Sequence, residues 1–414
     1  MNLSKLFNIV SSAIIFAFVF SIYNDNFLVD YLGSNSLKAI FLLFILFNLL
    51  RILRNLFDRE TMMELIPFLV FFLGDFFNML INPPVGEEQG ARLFEDSLLL
   101  LSMLFIVTFF INYNLIKTLY FIWGSLIVSS VIAFFNSPLS KWTFRKTGGT
   151  GDPNEFASQM LAFIFISIFL FKKNRNITFL IISFIAFAYS ILFAASMSSF
   201  IFLAVIGVFV LLRFLSLSFV KSMLISITAI VAVITTIIMF QDKLESFEII
   251  NNILGRTEET GTANTRFNSW NAGLKMVADK PILGVGLHEY GKFSPQYSTK
   301  FLAQDSVAPH NLFLELAAES GLIVFFAFVF FLFNLMSKYF YTIVHSDYFW
   351  IYMAVTSYLL MGLTLGLTYN KFFWLTIALL MNLHLKLSLE REGIITEDDF
   401  SDTFNMQELI TKRD

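Results

Sequence analysis

Cysteine is absent from the 414-residue chain, which excludes disulfides, thiol catalysis and thiolate metal sites. Histidine is almost as scarce. The four present are scattered, with no close pair to serve as a metal cluster. Charge is also low, at 14% of residues against roughly 25% in soluble domains. The net value of −3 gives no field to attract a polyanion, so a nucleic-acid binder is excluded. No internal repeat or low-complexity linker is present, which disfavours transporter folds built from duplicated halves. What is abundant is apolar: 57% of residues are hydrophobic and 54 are phenylalanine. That composition does not suit a water-soluble globule.

A bilayer core takes about 20 mostly apolar residues per helix. Twelve such stretches are expected, near 6–22, 37–50, 62–81, 97–112, 115–136, 155–171, 177–195, 199–213, 219–240, 318–337, 348–367 and 372–389. Continuous apolar runs without alternation imply helices rather than a membrane barrel. The first run carries only Lys5 before it and Asn24-Asp25-Asn26 after it, a poor cleavage site, so it reads as a retained span. The expected fold class is an all-α polytopic membrane protein with about twelve spans. Its organisation divides into spans one to nine at 1–240, a long extracytoplasmic loop at 241–309, spans ten to twelve at 310–389 and a polar tail at 390–414.

Orientation follows from lysine and arginine in short loops. With the N-terminus inside, fifteen of the 28 cations lie on the inner side and six in short outer loops. The remaining seven are in the 69-residue segment 241–309, which is too long for the rule. The bias places both termini in the cytoplasm and the long segment outside.

Three outer stretches carry chemistry. In the long segment, Thr262 to Thr265 offers helix caps before Arg266. Phe267, Trp270, Asn271, Leu274, Val277 and Ala278 follow at helical spacing until Pro281, with Gly284 and Gly286 beyond. This predicts an amphipathic helix on the membrane surface, anchored by Trp270. Arg266 at its start either meets an anion or touches lipid headgroups. The segment ends in His310-Asn311, and Asn311, Glu315 and Glu319 share one helix face. Polar groups on that stripe should face protein or water. His310 is suited to accept a proton near neutral pH; its alternative role is an interfacial hydrogen bond. The third stretch runs from Lys141 through Arg145, Lys146, a Gly-rich turn at 148–151, Asp152, Asn154 and Glu155 to Ala157. Exposed N–H groups and cations there could cradle a diphosphate. The other reading is an ordinary turn with surface cations, because no Gly-Lys-Ser/Thr of a Walker A loop follows.

At these residues the chain resembles the O-antigen ligase and polymerase superfamily. The matching signatures are Arg145…Asp152-Pro153-Asn154-Glu155-Phe156-Ala157, then Arg266-x-x-x-Trp270…Pro281-Ile282-Leu283-Gly284-Val285-Gly286, then His310-Asn311…Gly321. The resemblance covers about 141–325. Two departures shift weight from ligase toward polymerase: Met197 stands where an arginine is expected, and Val324 stands third after the motif glycine.

The resemblance implies a GT-C-like, metal-independent membrane glycosyltransferase that requires no cofactor. Its substrates would be undecaprenyl-diphosphate-linked glycans on the outer face of the bacterial inner membrane. A polymerase would build O-antigen or capsular polysaccharide; a ligase would transfer polymer to a lipid A core. It also implies a chain-length regulator and a flippase as partners. In the roles implied, Arg266 holds the diphosphate with Arg145 and Lys146 assisting. His310 orients or deprotonates the acceptor, with Glu315 and Glu319 as supporting groups or alternative bases. Asp152, Asn154, Asn311 and Trp270 complete the substrate-binding set. A transporter or lipid flippase is the rival from another class. It predicts mid-span charge, for which Asp75 is the best candidate; Asp75 reads instead as a buried, hydrogen-bonded group.

Overall fold

A computed structural model describes residues 3–84, 89–135, 146–194, 196–214, 221, 228, 262–298 and 308–393. The described residues form helices and no strand. In chain order these are α1 (Leu3–Tyr23), α2 (Asp25–Leu32), α3 (Asn35–Phe57), α4 (Arg59–Ile81), α5 (Gln89–Phe110), α6 (Leu115–Phe135), α7 (Pro153–Asn174) and α8 (Ile177–Ala194). They continue as α9 (Met197–Phe214), α10 (Thr262–Asp279), α11 (Tyr290–Tyr297), α12 (Leu312–Ser337), α13 (Phe340–Val344), α14 (Phe349–Met361) and α15 (Lys371–Arg391).

Among the described residues, nine helices are long and apolar enough to cross a bilayer: α1, α3 to α8, α12 and α15. Shorter apolar helices occur at Ser198–Val208, within α9, and at Phe349–Met361. Eleven of the twelve expected stretches therefore carry helix, while 219–240 lies outside the described residues except for 221 and 228. The second stretch, read as 37–50, is a 23-residue helix. Its polar end, Arg51 to Asn55, continues the helix beyond the apolar run.

The interior is built around α7 and α15, the most enclosed spans. Between apolar helices in lipid, close packing rather than burial from water drives association. The phenylalanines supply that packing. Trp374 of α15 sits among Phe68 and Phe71 of α4 and Phe328 and Phe331 of α12. Its ring stacks on Phe71 at 5.6 Å between centroids, and its indole N–H donates to Thr368 O at 2.6 Å. In α1, Ile15, Phe18, Val19 and Tyr23 are buried in the same core.

The α12 helix is broken at Gly321, whose φ of 79° and ψ of 172° are non-helical. Residues 281–286 fill the break. Val285 N–H donates to Ala318 O at 2.8 Å, Gly286 N–H to Glu319 O at 3.0 Å, and Leu322 N–H to Pro281 O at 2.7 Å. Asn78 of α4 donates to Ser320 O and, at 3.1 Å, to Leu283 O. The carbonyls of Ala318, Glu319 and Ser320 and the N–H of Leu322 thus find protein partners, which is how irregular backbone is tolerated at membrane depth. The segment expected as one external loop, 241–309, accordingly contributes its 281–286 turn to a span.

The α10 helix occupies the expected range, and the face that docks on the bundle is not the apolar stripe expected to meet the membrane. Ser269, Ala272, Gly273 and Met276 are buried, whereas Phe267 and Leu274 are 65% and 62% exposed. A Cβ on Gly273 would lie 2.8 Å from Tyr290 Oη and 2.9 Å from Leu314 Cγ. Small residues let α10 approach α11 and α12 closely, and the larger apolar side chains are left pointing outward.

Candidate functional site

The three signatures, far apart in sequence, meet at one end of the bundle. Asp152 is the N-cap of α7, accepting from Asn154 N–H at 2.6 Å and Glu155 N–H at 3.1 Å. Arg266 is the fifth residue of α10, at the start of its second turn, and His310 lies two residues before α12. These three groups act on one another electrostatically. Burial holds the Arg266 guanidinium below its ordinary value while Asp152 opposes. Burial, then the Arg266 charge, holds His310 below the usual imidazole value, again opposed by Asp152. His310 is therefore kept neutral near pH 7, as a proton acceptor must be.

His310 has a left-handed backbone, φ 47°. Such a conformation persists when its surroundings over-determine it. The Trp270 indole donates to Pro309 O at 3.0 Å, and Ser269 Oγ to Ala308 O at 3.0 Å. On the other side, Leu312 N–H donates to Gly362 O at 2.7 Å. Asn311 caps α12 by accepting from Phe313 N–H and Leu314 N–H, both at 3.0 Å. Trp270 and Asn311 thus hold the His310 segment in place.

The Gly-rich turn has a structural role. Gly149 N–H donates to Ser129 Oγ at 3.1 Å, and Thr150 N–H to Thr147 O at 3.2 Å. A side chain on Gly149 would collide with Asn24, and Asn26 donates to Thr150 O. The turn is glycine-rich because it packs against the α1–α2 junction, and the N–H groups of Asn154 and Glu155 are taken by Asp152. Of the N–H groups expected in the cradle, those of Gly149, Thr150, Asn154 and Glu155 are thus bonded within the chain. Lys146 N–H donates to Phe193 O at 2.8 Å, tying the turn to the end of α8. Arg145, together with Lys141, lies outside the described residues.

Sequence reasoning missed several neighbours. Asn370 donates to Glu155 Oε1 at 3.1 Å. Asp25 interacts with the Lys371 charge, and burial raises its carboxyl above the ordinary value. Glu155 is within Coulombic reach of Asp152, Asp25 and Glu315. Two polar clusters at span ends signalled these groups: Asn24-Asp25-Asn26 and Tyr369-Asn370-Lys371.

Glu315 and Glu319 lie one turn apart in α12 and act on each other by charge, but they bind different partners. Glu315 accepts from Thr368 Oγ1 at 2.9 Å, near the site. Glu319 clamps the adjoining turn, accepting from His288 N–H and Tyr290 N–H, each at 3.1 Å. This second network continues through His288 Nδ1 to Asp96 at 2.7 Å and through Arg92 to Glu289 at 2.8 Å. Asp75 is buried and accepts from Ser320 Oγ at 2.6 Å. Met197 begins α9, its side chain lying outside the described residues, and Val324 is buried opposite Gly74 of α4.

The His288 network carries a pH dependence. Burial alone would depress the imidazole, but the Asp96 hydrogen bond and the charges of Glu319, Asp96 and Glu315 push it up to about 9. A folded value above the ordinary 6.5 contributes stability that is full below pH 6.5 and lost as pH rises through about 9. The ring is 45% exposed and so is screened, which limits the effect. Thermal unfolding in detergent is expected to shift down by a few degrees between pH 6 and pH 9.5. His288→Asn should flatten that difference; an equal shift in the variant would remove His288 from the explanation.

Residues 182–329 match the O-antigen ligase family model, a range that contains Arg266, His310 and Gly321 but not the 146–157 turn. The chain is also 24% identical over 282 residues to the ComP-specific O-oligosaccharyltransferase of Acinetobacter baylyi, covering 61% of this chain and 50% of that protein. The match thus spans about half the length of the curated relative. Both comparisons support the resemblance to the O-antigen ligase and polymerase superfamily carried by the three signatures.

Proposed function

We propose that the chain transfers a glycan from a lipid diphosphate to an acceptor hydroxyl at the Arg266–His310–Asp152 cluster. The observation that carries this reading is the meeting of a neutral histidine, a half-buried arginine and a carboxylate from three separate segments. The acceptor O–H would attack the anomeric carbon. The bond from that carbon to the diphosphate breaks, and the lipid diphosphate leaves with the electron pair. Arg266 meets the charge that develops on it. The hydroxyl proton passes to the His310 imidazole and then to solvent. Asp152 holds Arg266 in position by charge, and Lys371 with Asp25 lines the same end.

In the finer reading, donor and acceptor are both undecaprenyl-diphosphate-linked. The growing glycan moves onto the terminal sugar of a new repeat unit, which makes the chain a polymerase on the outer face of a bacterial inner membrane. Both termini would then be cytoplasmic, and a flippase and a chain-length regulator would be its working partners. The two sequence departures support this reading; the packing of Val324 on α4 gives that position a structural reason as well. The ligase reading is favoured by the match of 182–329 to the O-antigen ligase model and by the oligosaccharyltransferase relative.

Purified protein supplied with an undecaprenyl-diphosphate oligosaccharide is expected to yield a ladder of longer lipid-linked glycans. No turnover of any lipid-linked donor, with or without an added acceptor, would end the transferase reading and revive a carrier. In a deletion strain, single repeat units on the acceptor identify the polymerase, and unattached polymer identifies the ligase.

A further inference from the structure

Gln159 of α7 is 0% exposed, and neither its Oε1 nor its Nε2 has a hydrogen-bond partner. Among the described residues it is the one side-chain amide orphaned at both ends. A buried polar group without a partner is costly, the more so inside a membrane span. Such a group calls for a reason beyond packing. Water is not that reason, because a fully covered side chain leaves no room for one beside it.

The place of Gln159 in α7 supplies a reason. It lies one turn inward of Glu155 on the same stripe of the helix. Glu155 reaches Asn370 at the start of α15, so this stripe faces the proposed transfer site. To one side of it Met160 lies 3.6 Å from Ser130 of α6, and to the other Phe165 and Phe169 lie against the rings of Trp350 and Tyr348. Further in, the stripe is apolar and buried, through Phe163, Ile166 and Leu170. A helix that only had to pack would carry an apolar residue at 159 as well. The polar part of the stripe ends on Gln159, which makes it the floor of the site. The α8–α9 turn adds a second orphan. α8 returns to the site end beside α7, where Phe193 O accepts from Lys146 N–H. Ser196, just beyond, is buried, and its Oγ has no partner either.

An amide presents a donor and an acceptor side by side. A diphosphate, which only accepts, would leave Oε1 unpaired, and an isoprenoid chain would pair neither atom. Adjacent sugar hydroxyls, each able to donate and accept, pair both. We infer that Gln159 binds the glycan of the lipid-linked substrate, its amide hydrogen-bonding a pair of sugar hydroxyls, with Ser196 Oγ as a further contact at the same end. The inference rests on the transfer reading, which puts sugar at this end of the bundle. Because the amide is sealed, the helix ends yield as the sugar enters, and binding exchanges an unpaired amide for a paired one.

Gln159→Met keeps the length and helix propensity of the side chain and removes its amide. The full-length variant in detergent is expected to melt a few degrees above wild type, since an unpaired polar group leaves the interior. On an undecaprenyl-diphosphate oligosaccharide its kcat/KM should fall about 10–100-fold, mostly through KM. A structural role for the amide predicts the opposite sign for stability. A lower melting temperature, failure to fold, or an unchanged kcat/KM overturns the inference. If wild type turns over no lipid-linked donor, the transfer reading fails by itself, and ligand-induced stabilisation decides on Gln159. The oligosaccharide lipid should then raise the melting temperature of wild type more than undecaprenyl diphosphate does, and the difference should vanish in Gln159→Met. Equal stabilisation of wild type by the two lipids, or a difference that survives in the variant, overturns the inference.

Discussion

His310→Ala is expected to lower kcat/KM for glycan transfer by about 10²–10⁴-fold, the usual contribution of a general base. Folding should survive, because the segment is held by Trp270, Ser269, Asn311 and Leu312 rather than by the imidazole. Arg266→Ala should cost about 10²–10³-fold by withdrawing stabilisation of the leaving diphosphate. Arg266→Lys tests whether charge alone suffices or a planar fork is required.

The pH profile gives a sharper discrimination. A general base works when deprotonated, so activity falls as pH drops through its pKa. Burial and the Arg266 charge hold His310 below its ordinary value, which moves the acid limb of kcat/KM below pH 6.5. Arg266→Ala removes one of these causes, so the acid limb of the residual activity should move back up toward 6.5. An acid limb at the same pH in wild type and Arg266→Ala would show that His310 is not the titrating base. Full activity in His310→Ala would remove it from the chemistry altogether, leaving Glu155 or Glu315 as the carboxylate to examine.

Gly321→Val is expected to prevent the protein from folding. A Cβ at this position would collide with Ile282 O and crowd Leu283 N. The backbone there, at φ 79° and ψ 172°, is accessible essentially to glycine alone, with a penalty on the order of 1–3 kcal/mol for other residues. Displacing the 281–286 turn would also break the bonds to Ala318 O, Glu319 O and Leu322 N–H. At about 1 kcal/mol net for each, the total reaches several kcal/mol against a typical stability of 5–15 kcal/mol. Gly33→Ala is the control. It shares a positive φ of 81° but has no atom within 4 Å, so it isolates backbone strain from collision. Size-exclusion profiles of fluorescent fusions should show Gly321→Val aggregated or absent and Gly33→Ala monodisperse. A monodisperse Gly321→Val with an unchanged melting temperature would show that the turn does not depend on the break.

The spans were readable because lipid imposes a simple rule: an apolar run long enough to cross must be helical, whatever it packs against. The positions of Arg266, His310 and Asp152 were readable from their motifs. What each motif glycine does was not. Gly149 looks like part of an anion-binding turn in sequence, but its function depends on Asn24, which lies 125 residues earlier. The face of α10 that docks on the bundle is not legible either. Leu274 suggests burial by hydrophobicity, whereas close helix contact selects Ala272 and Gly273 by size. The partners of Glu315 and Glu319 are invisible to an i, i+4 pattern, since Thr368 and the backbone of 288–290 come from distant segments of the chain.

The filled break in α12 also bears on biosynthesis. The turn at 281–286 is translated before Gly321, and Asn78 of α4 earlier still. When α12 emerges from the ribosome, the partners for its exposed carbonyls have therefore already been made. Chain order itself protects the interrupted span, and the turn next to the proposed site can dock before the last spans, α14 and α15, are made.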